Sequence, residues 1–560
     1  MGPIIVQSDL TILLEVDSPE FKSARDVLLS FAELVKSPEH IHTYRLTPIS
    51  LWNAASAGYT PEYVIENLKR YSKFTVPELV MTFIRDNMSR YGKIRLIKEG
   101  DDLTLIAESP YYIEQILSFK KAEPYILARL SPERLLIRPE ARGFLKQCLI
   151  SIWLPVEDLA GYTEGAPFPI ALRDITTTNE PFIIRDYQID AISAFWGGGG
   201  PKGGSGTIVL PCGSGKTIVG MGIMEHIGSH TLVVVTNITA VRQWIDELID
   251  KTYINPDDIA EYSGERKAIK PITIATYQIL TYRRRKTGPF EHLGLFDKSQ
   301  WGLIIYDEVH LLPAPVFRAT ATIQSKRRLG LTATLVREDG LEGDVFSLIG
   351  PKKYDIAWRV LEEQNYIARA ICNEVRVPMP QDERLMYATA DIRPRFRIAS
   401  ENPDKLPIVR AIIDRHKDGQ ILVIGQYISQ LEKIASMLKT PLIQGITPNK
   451  KRIEYYEAFR RGEVKLLVVS KVANFAVDLP DANVAIQVSG TFGSRQEEAQ
   501  RLGRILRPKR GENIAYFYTL VSDDTIEQDF SAKRQLFLAE QGYEYRIVKA
   551  EDVGGVIDTR

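Results

Sequence analysis

The strongest constraint on the fold is a series of short, uninterrupted apolar runs separated by helical lengths: TIVLP, TLVVVTN, ITIATYQ, WGLIIYDE, RLGLTAT, QILVIGQ, KLLVVS and NVAIQVS. Runs without polar alternation are strands covered on both faces, which is the pattern of a parallel sheet sandwiched between helices. Two stacked βαβ domains of roughly 180 residues each accommodate them. Their junction is expected near residues 355 to 366. The fold class expected is therefore α/β.

Smaller elements precede these domains. Thr60-Pro61-Glu62 supplies an N-cap, a first-turn proline and an early acid, followed by Val64, Ile65, Leu68 and Tyr71 on one helical face. A second helix is predicted from about Pro77 to Tyr91, with Leu79, Phe83, Ile84 and Met88 inward. From Pro110 to about Leu154 the pattern reads helix, strand, strand, helix. GAPFPIALR and GGGGPKGGSG then bracket a helix and lead into the first buried strand.

Lysine plus arginine and aspartate plus glutamate both total 71, so any surface for a polyanion must be local. Cys148, Cys212 and Cys372 are far apart with no CxxC pair, which argues against a disulfide framework or a zinc site and fits a reducing compartment. The opening MGPIIVQSDLTILLEV does not read as a secretory signal, and no apolar run reaches the roughly 20 residues of a membrane span. A soluble, cytoplasmic protein is expected.

Three motifs carry chemistry. LPCGSGKT, between the strand TIVL and the helix-like IVGMGIMEHI, has the context of a phosphate-binding loop, although Leu210 stands where the full pattern has glycine. Cys212, Gly213, Ser214 and Gly215 would cradle the anion, Lys216 would reach the β- and γ-phosphates, and the Thr217 hydroxyl would hold magnesium. The run LIIY then delivers Asp307 and Glu308 to a strand end, 91 residues after Lys216. There Asp307 can hold Mg2+, while Glu308 orients and deprotonates the attacking water. QRLGRILR, Gln500 to Arg507, places Arg504 and Arg507 one helical turn apart, as a pair that can neutralise charge on the γ-phosphate. ATP is the expected nucleotide.

DEVH at 307–310, TAT at 332–334 and QxxGRxxR at 500–507 together resemble a superfamily 2 helicase. DEVHLLPAPVF, LGLTATLVREDG, IGPKKYD, SKVANFAVDLP and GSRQEEAQRLGRILR are more specifically similar to the XPB family of DNA-repair helicases, in a compact bacterial or archaeal form. HTYRLTPISLWNAASAG looks like that family's N-terminal domain. The resemblance implies two RecA-like parallel-sheet motor lobes preceded by smaller α+β modules. Its boundaries would be an N-terminal domain at 1–105, a small damage-recognition-like module at 106–170, a first lobe at 171–360 and a second at 361–560.

The resemblance also implies roles. Arg185 and Gln188 would contact adenine, and His310, Thr332 and Thr334 would couple the nucleotide to the DNA site. Arg337, Glu338 and Asp339 match a motif linked to strand separation, Asp478 would lie near the ribose, and Gln500 belongs to the arginine-bearing motif. A thumb-like insertion is expected at about 378–404. The substrate implied is DNA, whether single-stranded, forked or damaged duplex, with 3′ to 5′ polarity and a nuclease or repair protein as possible partner.

Two basic clusters, Arg283-Arg284-Arg285-Lys286 and Lys326-Arg327-Arg328, are candidates for phosphate contacts. A different enzyme class remains in view, the motor of a translocating restriction nuclease, because Pro256-Asp257 and Glu265-Arg266-Lys267 have a loose nuclease spacing. The third reading is an ATP-switched scaffold that opens DNA by binding alone.

Overall fold

The computed structural model describes residues 2–36, 40–200, 203–211, 213–285, 290–323, 326–333, 342–356, 358–470, 482–490, 513–540 and 544–553. Cys212, Lys286, Thr334, Arg337, Glu338, Asp339, Asp478, Gln500, Arg504 and Arg507 lie outside the described residues. The fold is α/β and forms two compact units: residues 1–33, 44–211 and 215–356 make up the first, and the second is built on 357–560.

Each unit is organised around a seven-stranded, wholly parallel sheet of the RecA-like kind. In the first unit the spatial order is Ile259–Tyr262, Ile272–Thr276, Thr231–Val235, Leu303–Asp307, Arg327–Thr332, Ser205–Val209 and Lys352–Asp355. In the second it is Leu442–Ile443, Leu466–Ser470, Ile421–Gly425, Val484–Gln487, Ile514–Ser522, Arg369–Val377 and Glu544–Lys549. All eight apolar runs become strands, and their side chains fill both faces: every residue of Thr231–Val235, Ile272–Thr276 and Ile421–Gly425 is buried.

The N-terminal part of the first unit contains an antiparallel pair, Ile4–Val6 with Thr11–Glu15, and three capped or proline-started helices. In Pro61–Tyr71 the Thr60 hydroxyl accepts the Tyr63 N–H, and Val64, Ile65, Leu68 and Tyr71 are the buried face, as the spacing predicts. The next helix, Glu78–Arg90, departs from expectation: Val80, Met81, Ile84, Asn87 and Met88 face inward, Phe83 is half-buried, and Leu79 is 63% exposed. Its face is rotated because Asn87 is used inside. The Asn87 carbonyl accepts the indole N–H of buried Trp52, and its side-chain amide donates to the Phe83 carbonyl.

A five-stranded sheet follows, ordered Ile126–Ser131, Arg134–Ile137, Asp102–Ala107, Ile94–Glu99, Val156–Asp158. The boundary expected between 105 and 106 falls within one of its strands, because Ile94–Glu99 and Asp102–Ala107 form an antiparallel hairpin that carries the module's core. The helix, strand, strand, helix pattern appears as Pro110–Ser118, Ile126–Ser131, Arg134–Ile137 and Arg142–Ile150.

These modules pack on the first large sheet. Trp52 meets Phe346 and Trp153, with ring centroids 6.0 and 6.2 Å away. The Asn53 side chain accepts the N–H of Lys352 at 3.0 Å, so the N-terminal module satisfies part of the exposed edge of the last strand. In the second unit, residues 378–404 form two short helices, Gln381–Thr389 and Ile392–Ser400, where composition allowed one long helix. Asp391 and the Ala390 turn separate them, and the Arg395 guanidinium folds back on the Ala388 and Ala390 carbonyls.

Candidate nucleotide site and its surroundings

The strand Ser205–Val209 runs into the phosphate-binding sequence at the C-terminal edge of the first sheet. Gly213 and Gly215 adopt φ of +79° and +81°, a left-handed conformation that glycine reaches without strain. At Gly215 a Cβ would also lie 2.5 Å from the Gln188 amide nitrogen, so the turn is closed against that side chain. Helix Lys216–Ile227 starts immediately afterwards, so its positive dipole end lies beside the loop. Leu210 needs no glycine conformation: it is buried, and its N–H donates to the Thr332 carbonyl at 2.9 Å.

Asp307 ends the central strand Leu303–Asp307, and Glu308 follows with φ of +52° and ψ of +54°. A left-handed glutamate costs local strain that the surrounding bonds must hold. It turns the two carboxylates onto different partners. Lys216 Nζ donates to Glu308 Oε1 at 2.8 Å, while the Asp307 carboxylate accepts the Trp244 indole N–H at 2.9 Å and the Glu308 N–H at 3.1 Å. The Tyr277 hydroxyl donates to the Asp307 carbonyl at 2.9 Å.

The electrostatics separate the two acids. Burial and the neighbouring Glu308 charge push Asp307 up to about 6, against the opposing pull of Lys216 and Trp244. Burial also opposes ionisation of Glu308, but the Lys216 ammonium and His310 outweigh it and hold Glu308 below the usual carboxylate range. A half-buried aspartate beside a second carboxylate is an oxygen donor whose charge a hard divalent cation offsets, and Thr217 at the helix start adds a hydroxyl. This donor set fits Mg2+.

Beyond the carboxylates, His310 Nδ1 lies 2.7 Å from the Thr332 hydroxyl and 3.6 Å from Glu308 Oε2. The tetrapeptide 307–310 and the strand Arg327–Thr332 are thereby joined through one imidazole. On the other side, Gln188 accepts the Arg185 N–H at 2.9 Å, and the Arg185 guanidinium donates to the Tyr187 hydroxyl at 3.3 Å. The structure thus gathers Gln188, Gly215, Lys216, Asp307, Glu308, His310 and Thr332 at one sheet edge. Trp244 and Tyr277 were not foreseen. Neither belongs to a short motif, and they lie 63 and 30 residues from Asp307.

The cluster Lys326-Arg327-Arg328 is corrected. Arg328 is fully buried and donates to the Leu348 carbonyl at 2.8 Å, and Lys326 donates to the Trp301 carbonyl at 3.1 Å. Arg327 lies over the Tyr162 and Trp196 rings. Arg327 and Arg328 both lie against the Tyr162 ring of the middle module, in which Arg142 and Lys146 converge on Asp158 at 2.8 and 2.7 Å. Arg283 and Arg284 are engaged more loosely, over the Phe290 ring and with Glu291.

The nuclease spacing resolves as part of the motor. Pro256–Asp258 is a single helical turn before the edge strand Ile259–Tyr262, and Glu265 pairs with Arg242 on the surface. Among the described residues there is no cluster of potential metal ligands of three or more and no helix long and apolar enough to cross a membrane.

Comparison with known proteins agrees with this architecture. Residues 361–555 match the family described as ERCC3/RAD25/XPB C-terminal helicase, residues 4–131 a helicase conserved C-terminal domain, and residues 181–337 the res subunit of type III restriction enzymes. The chain is 52% identical over 559 residues to a protein of Kineococcus radiotolerans named DNA 3′-5′ helicase XPB, covering 100% of this chain and 98% of the relative. A Mycobacterium tuberculosis protein of the same name is 53% identical over 555 residues, covering 99% of both chains. A Drosophila melanogaster helicase/translocase subunit XPB of general transcription and DNA repair factor IIH is 32% identical, covering 98% of this chain and 78% of the relative. The restriction match is confined to the first lobe, whereas XPB proteins match from end to end. The chain belongs to the XPB family of superfamily 2 DNA helicases, which are ATP-hydrolysing enzymes.

Proposed function

We propose that this protein is an ATP-dependent DNA helicase or translocase that moves 3′ to 5′ and serves DNA repair such as nucleotide excision repair. The observation that carries the proposal is the placement of Lys216, Asp307 and Glu308 at one sheet edge, with His310 linking them to Thr332. Lys216 exchanges the Glu308 carboxylate for the β- and γ-phosphates, which frees Glu308 to orient and deprotonate water. Thr217 and Asp307 hold Mg2+, which supplies positive charge against the triphosphate. Cys212, Gly213, Ser214 and Gly215 cradle the phosphates, and Arg185 and Gln188 recognise adenine.

Within the same reading Arg504 and Arg507 stabilise the charge developing on the γ-phosphate, and Asp478 contacts the ribose side. His310, Thr332, Thr334 and Gln500 couple hydrolysis to DNA, and Arg337, Glu338 and Asp339 act in strand separation. The helix pair at 378–404 contacts DNA as a thumb. The working units are an N-terminal domain, a small damage-recognition-like module that takes in the hairpin strands Ile94–Glu99 and Asp102–Ala107, a first motor lobe ending near 360 and a second from 361. The protein acts in the cytoplasm, on single-stranded, forked or damaged DNA, together with a nuclease or repair protein. An assay of ATP turnover and forked-duplex unwinding tests this: both rise with DNA in the parent protein, and DNA that leaves turnover unchanged would sink the proposal.

A further inference from the structure

The second unit contains a buried polar hub that the nucleotide chemistry does not use. Lys405 and Glu527 are 122 residues apart and joined at 2.8 Å, with side chains 1% and 4% exposed. The Lys405 ammonium also donates to the Ser400 and Val488 carbonyls at 3.2 and 3.1 Å, so all three of its protons have acceptors. Glu527 in turn accepts from the Ser400 hydroxyl and the Ser522 N–H, each at 2.9 Å. Asn402 donates to the Pro378 carbonyl at 2.9 Å and the Ser522 hydroxyl at 3.0 Å, and that hydroxyl donates to the Ala399 carbonyl at 2.7 Å.

All of these bonds meet at the foot of the helix pair Gln381–Thr389 and Ile392–Ser400. They tie it to the ends of the strands Arg369–Val377 and Ile514–Ser522 and to the start of helix Ile526–Glu540. Phe396 adds an edge-on contact with Phe530, at 5.2 Å and 89°, and the Tyr387 hydroxyl accepts the Ile526 N–H at 2.8 Å. Farther out the support thins to exposed contacts such as Arg384 with Asp524 at 3.5 Å. Gln381–Thr389 has no buried residue, and Leu385 and Met386 are exposed. Of the residues that meet Lys405 and Glu527, only Val488, through its carbonyl, belongs to the apolar cluster that stabilises the sheet. Apolar packing alone tolerates rotation, whereas a desolvated ammonium with three fixed acceptors admits one orientation.

We propose that Lys405 and Glu527 are positioning residues that fix the direction in which the helix pair leaves the second sheet, and so its placement on DNA. The inference rests on the DNA-contacting role proposed above for that pair. Replacing both partners by uncharged residues, Lys405→Met with Glu527→Gln, removes the ion pair without stranding a buried charge. The double variant is compared with the parent in full-length form by amide hydrogen exchange, ATPase with single-stranded DNA, and unwinding of a forked duplex.

Exchange across 381–400 should quicken about tenfold, and unwinding should fall about tenfold while DNA-stimulated ATPase stays within about twofold. Unchanged exchange overturns the positioning role, and so does an equal fall in ATPase and unwinding. Should the double variant fail to fold, Asn402→Ala is the second probe, because it loosens the same hub without touching a charge. A separate variant, Leu385→Glu with Met386→Glu, alters only the exposed face of the helix pair. If it unwinds like the parent while the hub variant shows faster exchange, the DNA role of the pair has failed, and the placement on DNA falls with it.

Discussion

Lys216 with Glu308 in the first unit and Lys405 with Glu527 in the second are each joined at 2.8 Å, but the first pair is 13% and 22% exposed and the second 1% and 4%. The first pair stands at a loop of left-handed glycines that a phosphate can approach, and Lys216 pairs there with the acid expected to activate water. The second is closed on every side by carbonyls and a hydroxyl. A partly open pair can trade its partner for a ligand, whereas a closed one can only hold backbone in place. In the reading proposed here the same two residue types serve chemistry in one unit and geometry in the other.

The sharpest break of this comparison is Lys216→Ala, which should abolish ATP turnover while DNA binding without nucleotide survives. Near-normal ATPase in that variant would overturn the assignment of the loop. Glu308→Gln should instead bind ATP and keep it, because Asp307, proposed to hold the metal, stays, and rapid phosphate release in a single turnover would contradict that role. Next in size, Arg504→Ala or Arg507→Ala should slow hydrolysis by about 10³-fold, the magnitude of a lost arginine finger, with a smaller change in nucleotide affinity.

Lys405→Ala should act on folding. It leaves Glu527 buried without its cation, at a cost of about 3–5 kcal/mol to the second unit. Calorimetry should show that unit melting early while nucleotide protection of the first unit persists. Thr332→Val removes a hydroxyl bonded to His310, worth about 1 kcal/mol, so DNA stimulation of the ATPase should drop about fivefold. An unaltered stimulation would mean that the imidazole carries no coupling.

The smallest effect concerns pH. Burial, aided by Arg415, lowers His416 to about 4, and its ring is bonded to the Tyr518 hydroxyl at 2.9 Å. A depressed folded-state value means that the unfolded chain binds the proton first. The contribution is therefore complete above about pH 6.5 and lost as pH falls toward 4. In His416→Gln the stability of the second unit should vary less across that window.

Much of the site was legible because its parts are local. The phosphate loop, Asp307 with Glu308, and His310 lie in short segments whose meaning depends on a strand before and a turn after, and the apolar runs supplied both. The misreadings near the site came from charge taken as exposure. Arg328 looked like part of a basic surface, yet neighbouring carbonyls and the Tyr162 ring take it into the interior. Conversely, Arg369–Val377 did not stand out as a strand because Asn373, Glu374 and Arg376 interrupt it, although Glu374 is buried with Ser531, Gln535 and Tyr545 around its carboxylate.

By itself the sequence determined the two parallel sheets, the strand ends where chemistry sits, and the family, because burial on both faces and glycine conformation are written in residues a few positions apart. The tertiary structure decided which polar groups are inside: Trp244 on Asp307, Arg328 beneath the middle module, and Lys405 on Glu527. Each of those bonds joins residues that no local pattern relates, and a buried charge is tolerated only where distant parts of the chain bring it a partner.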